Sequence, residues 1–130
     1  MDEFPWADVA RKAWHAVSTG DAEELATVLA EDAVWYASGR GPRSGEFHGR
    51  AAIIDYLGGI GEAAEQFDSE LEDVLEGHGH TAMLFRVDGR RKGRSLSTGF
   101  VLLLTIADQR ISEVWAIPRD QHAVDEFWAD

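Results

Sequence analysis

Twenty residues, Ser18 to Ala37 (STGDAEELATVLAEDAVWYA), constrain the fold of this chain more than any others. Within them one helix ends, a second starts and ends, and a strand opens. Gly20 can take the left-handed conformation that closes the first helix, and Asp21 with Glu24 three residues on forms a capping box for the second. Asp32 then precedes AVWYA, a β-branched and aromatic run that reads as a strand.

The first helix is expected from Pro5, well placed for a first turn, to Ser18, with Trp6, Val9, Ala10, Ala13, Trp14 and Val17 at helical spacing. The second covers Ala22 to Ala30, with Leu25, Val28 and Leu29 inward. A Gly-rich, Arg-bearing loop, SGRGPRSGEFHGR, follows the strand; it lacks the context and spacing of a phosphate loop. It delivers Phe47 and Gly49 into a third helix, Arg50 to Ala64, faced by Ile53, Ile54, Leu57 and Ile60. Four long strands complete the pattern: Phe67 to Glu76, His80 to Asp88, Arg94 to Ala107 and Arg110 to Ile117. Their turns are marked by Gly77 and Gly79, by Asp88 and Gly89, and by Ala107 to Arg110. Such short connections imply antiparallel order. Asp120 caps a short terminal helix, QHAVDEFW. Helices first and an antiparallel sheet behind them make an α+β domain, one domain over residues 1–130.

Composition then removes several classes of function. The chain has no cysteine, so disulfides, thiolate metal sites and a cysteine nucleophile are excluded. The longest apolar run, Phe100 to Ala107, is far shorter than the ~20 residues a bilayer helix needs, and Met1 to Pro5 is acidic rather than a basic leader. A cytoplasmic protein with no membrane partner is expected. A net charge of -12 repels phosphate backbones, which argues against nucleic acid, and Arg90, Arg91, Lys92 and Arg94 read as a solvated hairpin tip.

Pairing the strands by those turns sorts their side chains onto two faces. One gathers Val74, Ala82, Leu84, Val101, Leu103, Val114 and Ala116, with Glu70, Glu72 and Arg86 among them. The other gathers Leu71, Met83, Phe85, Leu96, Phe100, Leu102, Leu104, Trp115 and Ile117. Both are too apolar to meet water, and three helices cover only one. The uncovered face implies a partner, and a second copy is the simplest: a homodimer burying Phe85, Phe100, Leu102 and Trp115.

Three segments, TGDAEELATVLAEDAVW, FHGRAAI and LLTIADQRISEVWAIPRDQ, resemble the nuclear-transport-factor-2-like superfamily, in particular its SnoaL-like and ketosteroid-isomerase-like members. The resemblance spans nearly the whole chain. It implies a cone, a strongly curved sheet wrapped around three helices with a pocket open at one end, commonly dimerising through the convex face. It also puts Ala13, Ala37 and Val101 where steroid isomerases of the group hold a Tyr, an Asp base and a neutral Asp, and Ala116 where limonene-epoxide-hydrolase-like members need a carboxylate. Neither chemistry is expected. Val101 and Ala116 correspond to pocket positions, so the resemblance makes the first face concave and lines the cavity with Trp14, Trp35, Phe47, Arg86, Val101, Leu103 and Ala116.

Polar groups near such a cavity carry any chemistry. Glu72 in an apolar site would have its pKa raised and could act as a general acid or base, while Glu70 with Arg86 makes a cross-strand ion pair near the rim. His48, before Gly49 at the mouth, and Asp120, at the terminal helix, are the other catalytic candidates. His78 and His80 lack a third ligand nearby, so no metal is expected; His15 is a surface residue, and Tyr36 points away from the cavity. Two functions fit: a cofactor-independent enzyme of the cyclase, isomerase or dehydratase kind acting on a small apolar molecule, or a non-catalytic ligand-binding or dimeric structural module.

Overall fold

The computed structural model describes residues 5–130, so the acidic opening stretch lies outside the described residues. Its elements are α1 (Pro5–Thr19), α2 (Ala22–Val28), β1 (Leu29–Ala37), β2 (Gly45–His48), α3 (Arg50–Ala63), β3 (Gln66–Glu76), β4 (Thr81–Arg91), β5 (Arg94–Ala107), β6 (Arg110–Pro118) and α4 (Gln121–Trp128). The six strands form one sheet in the order β2-β1-β6-β5-β4-β3. Neighbours are antiparallel except β1 and β6, which run parallel. None of the described helices is long and apolar enough to cross a membrane.

The α1 to β1 stretch folds as its residues suggest, with two differences. Gly20 has φ 70°, and the Asp21 carboxylate accepts from the Glu24 N–H at 3.0 Å. The Glu24 carboxylate, however, reaches His15 Nδ1 at 2.9 Å instead of closing the box, tying α2 to α1. Helix α2 also stops at Val28, before Ala30, because Leu29 is already extended and paired with Ile111 of β6. Pairing with a distant strand overrides local helix preference there.

Part of the Gly-rich loop is a strand. Residues 45–48 pair antiparallel with β1, Trp35 opposite Phe47 and Ala37 opposite Gly45. Strand β4 runs through Asp88 and Gly89 to Arg91, so the turn falls at Lys92 and Gly93, both with positive φ, as a tight hairpin turn requires. The expected solvated tip is a clamp: Arg91 Nη1 donates to the carbonyls of Phe127 and Ala129 at 3.2 and 2.9 Å, and Arg94 Nη1 also donates to Ala129.

The two sheet faces are sorted differently from the sequence reading. Met83, Phe85, Val87, Phe100, Leu102 and Leu104 line the concave, helix-covered side with Val114 and Ala116. Val101 and Leu103 are opposite Leu84 and Ala82 on the convex side. The cause is one residue. Thr105 pairs with Glu113 and Ile106 with Ile111, leaving Ser112 as a bulge that reverses which β5 residues share a face with β6. A second bulge leaves Glu72 unopposed between Leu71↔Phe85 and Asp73↔Leu84. Of the four residues assigned to a dimer face, Phe85, Phe100 and Leu102 therefore point inward, while Trp115 stays outside, 42% exposed and stacked on Tyr36 at 4.1 Å.

The core has two parts. Small residues of α1, Ala10, Ala13 and Ala16, let that helix sit close to the sheet with Leu25, Ile53, Met83 and Leu104. Phe127 and Trp128 of α4 pack with Val87 and Leu96 under the far end of the β4–β5 hairpin.

Candidate ligand-binding site

Between the helices and the concave sheet lies a cavity of about 460 Å³, within the range of small-molecule sites. Met83, Phe85, Phe100, Leu102 and Leu104 form its sheet wall, Trp14 closes it from α1, and Ile53, Tyr56, Leu57 and Ile60 close it from α3. Those helical positions follow from a 3.6-residue period that turns one stripe inward. The Trp14 and Phe85 rings are 5.0 Å apart, and Phe85 stacks on Phe100 at 5.3 Å. Trp35 and Ala37 of β1 complete the apolar part.

Polar groups gather where the loop after β1 meets α4. Ser38, Arg43, Ser44, Gln121 and Asp125 line this end, with Asp68 and Ser69 from β3. Gln121 Nε2 and the Arg40 N–H donate to the two oxygens of Asp125, at 3.0 and 3.2 Å. The Ser38 hydroxyl donates to the Ala116 carbonyl at 3.0 Å and lies 2.5 Å from Gln121 Oε1. Arg43 and Tyr56 bond reciprocally: Arg43 Nη2 donates to the Tyr56 carbonyl, and the Tyr56 hydroxyl to the Arg43 carbonyl, both at 2.8 Å. The guanidinium stands 4.9 Å from the Tyr56 ring centre and 5.7 Å from that of Trp128. Burial pushes the Tyr56 phenol above its ordinary pKa, and the Arg43 charge only partly offsets this. No group of three or more His, Asp or Glu is placed to hold a metal ion among the described residues.

A cone with this cavity directs attention to a known domain type, and residues 10–114 match the SnoaL-like domain. The chain belongs to the SnoaL-like family. An uncharacterized protein of Mycobacterium tuberculosis is 30% identical to it over 124 residues, covering 94% of this chain and 95% of the relative. Among solved structures, Bal32a, from a soil-derived mobile gene cassette, is 27% identical with a TM-score of 0.89, covering 94% of this chain and 95% of its own. TerC, co-crystallized with polyporic acid, shares the fold at 16% identity and a TM-score of 0.83, covering 95% of this chain and 98% of its own. The nuclear-transport-factor-2-like architecture expected from the sequence is thus shown.

In this SnoaL-like protein only some of the expected site residues meet. Trp14, Trp35 and Ala116 line the cavity, as do Ala13 and Ala37. Phe47 lies behind the wall, stacked on Tyr56 at 4.0 Å. The bulge at Ser112 takes Val101 and Leu103 off the face of Ala116 and onto the convex side, where Arg86 also lies, its Nη2 donating to Ser97 Oγ at 2.8 Å. Glu70 faces Arg86 across the strands without an ion pair within 4.0 Å. Glu72 is exposed in its bulge. His48 is exposed, with Nε2 3.0 Å from Glu46 Oε1. Asp120 caps α4, accepting from the Ala123 N–H at 3.0 Å, and does not line the cavity. The polar lining falls instead to Arg43, Tyr56, Gln121 and Asp125. Tyr56 was detectable, since it shares the stripe of Ile53 and Ile60. Arg43 was not, because its place depends on how a loop folds back onto α3.

Proposed function

We propose that this SnoaL-like protein binds a small, flat, largely apolar molecule and acts on it without a cofactor, by proton transfer of the cyclase, isomerase or dehydratase kind. One observation carries the reading: a cavity of about 460 Å³ whose wall is aromatic and aliphatic and whose polar groups collect at one end. Such a wall supplies affinity by burying apolar surface, and the polar end orients the ligand. TerC, which shares the fold, was co-crystallized with polyporic acid, and a small-molecule role for the present chain is in keeping with that. Asp125 is a carboxylate facing the site that could take a proton from carbon beside a carbonyl, leaving the charge on the ligand's oxygen.

A specific observation favours the second reading, a non-catalytic binding module. Asp68 and Asp125 are the only carboxylates lining the cavity among the described residues, and both oxygens of Asp125 already accept hydrogen bonds. One experiment separates the two. Proton NMR of 2-tetralone in D2O follows exchange at the carbons beside its carbonyl. Exchange accelerated by the protein, and abolished by Leu102→Trp, which fills the cavity, supports an enzyme; binding without acceleration supports the module. If the probe does not bind, the cavity reading falls.

A further inference from the structure

Five residues that line the cavity are also exposed, and they come from three neighbouring ends: Val17 and Ser18 at the end of α1, Gly61 near the end of α3, and Asp68 and Ser69 near the start of β3. Val17 is 45% exposed, and the other large exposed apolar residues among those described, Leu75, Trp115 and Ile117, lie on the convex face. A single exposed valine means little on an ordinary surface, but here it stands on the lip of an apolar cavity. Ser38, the remaining exposed lining residue, is at the polar end, and that end is shut. Its hydroxyl sits between the Ala116 carbonyl and Gln121 Oε1, the Arg40 N–H bonds Asp125, and Gly39 has no room for a Cβ against the Gln121 and Asp125 side chains.

Helical geometry sets which way Gly61 faces. It follows Leu57, a cavity-lining residue, by one turn. Arg50, three turns earlier on the same flank of α3, donates to the Ala26 carbonyl of α2. The opposite flank carries Tyr56, which meets Phe47 and Arg43. Gly61 therefore looks toward the α1–α2 side of the cavity, where Val17 and Ser18 end α1. A Cβ built on Gly61 has nothing within 4 Å, so the space beside it is open. Glycine costs a helix interior about 0.5–1 kcal/mol relative to alanine, and neither crowding nor a positive φ requires it at this position. A passage kept clear accounts for it.

We propose that ligands enter and leave the cavity between the ends of α1 and α3 and the start of β3, and that Gly61, having no side chain, sets the width of this portal and so the cross-section of the apolar molecule admitted. The inference rests on the cavity being a ligand site and adds how that site is filled. Val17 offers an entering molecule apolar surface at the lip, while Asp68 and Ser69 keep the facing edge wetted. A side chain placed in the passage raises the barrier in both directions without changing the bound or the free state. Entry and exit then slow by the same factor, and the equilibrium affinity stays where it was.

Stopped-flow fluorescence with N-phenyl-1-naphthylamine, a neutral probe that brightens in apolar surroundings, measures kon and koff and tests the portal. In Gly61→Phe both constants should fall at least about fivefold, with Kd within about twofold of the wild type. Gly58→Phe is the control, because Gly58 has equally open space around its Cβ but does not line the cavity; its rates should match the wild type. A smaller slowing in Gly61→Phe overturns the portal while leaving the cavity as a ligand site. So does equal slowing in Gly58→Phe, and so does a weaker Kd with koff unchanged or faster, which would put the new ring inside the cavity. No binding to the wild type overturns cavity and portal together. Circular dichroism accompanies each variant, and if Gly61→Phe fails to fold, Ser18→Trp on the facing helix end decides by the same criteria.

Discussion

Tyr56 ties three parts of the site together, since its hydroxyl bonds Arg43, its ring supports the guanidinium, and the same ring stacks on Phe47. Tyr56→Phe removes one hydrogen bond and should cost about 1 kcal/mol, read by urea denaturation. The raised pKa also fixes a pH dependence. The folded state favours the neutral phenol, so this contribution is complete below pH 10.0, the ordinary value, and is lost as pH rises through the higher folded value. Absorbance titration should show a tyrosinate step above pH 10 that is missing in Tyr56→Phe. The neighbouring glycines of α3 separate packing from propensity. Nothing lies within 4 Å of a Cβ built on Gly58, so Gly58→Ala should stabilise by about 0.5–1 kcal/mol. At Gly59 the same helical gain meets the crowded guanidinium, and thermal melts of Gly59→Ala should show a smaller gain or a loss.

Helix α4 is held at both ends, and this was half legible. The cap at Asp120 and the apolar Phe127 and Trp128 were readable from short-range pattern. The partners were not, because they come from a hairpin thirty-five to thirty-nine positions earlier in the chain, whose arginines look solvated until the helix folds over them. Arg91→Ala should lower stability by about 2 kcal/mol, since it frees two carbonyls from a charged donor. Asp130→Asn should change little at neutral pH. Its carboxyl is held below the ordinary range by its hydrogen bond to Arg91 and by the Lys92 charge, so its contribution is present above pH 3.8 and fades as pH falls, but the group is fully exposed. Gly89 offers a sharper test of docking. A Cβ there would stand 3.0 Å from Phe127 Cζ and 3.1 Å from the Gln66 carbonyl, so Gly89→Ala should destabilise by about 1–3 kcal/mol, measurable as a lower melting temperature.

At the scale of the molecule, the strands and helices followed from periodicity, turn residues and caps, whereas the handing of side chains to one face or the other did not. Alternation is a parity, and one unopposed residue at Ser112 inverts it for every position beyond. Nothing in the run RISEVWAIP announces that bulge, so the aromatic residues of β4 and β5 could not be assigned to the cavity from pattern alone. We propose that a homodimer, if it forms, keeps only Trp115 of the four residues expected in its contact, because Phe85, Phe100 and Leu102 line the cavity. Trp115, Ile117 and Leu75 are exposed on the convex side, near Leu84, Val101 and Leu103. Trp115→Glu should convert a sedimenting dimer into monomer by placing an unpaired carboxylate in the contact; a wild-type monomer removes the pairing altogether. The parallel contact between β1 and β6 has a consequence for synthesis. Leu29 and Ile111, partners in the sheet, are 82 positions apart, so on the ribosome β1 waits, extended and unpaired on that side, while the intervening chain is made. The cone cannot close progressively from its first residues; it shuts in one late event, and until then the aromatic lining of the cavity is surface that a chaperone would recognise.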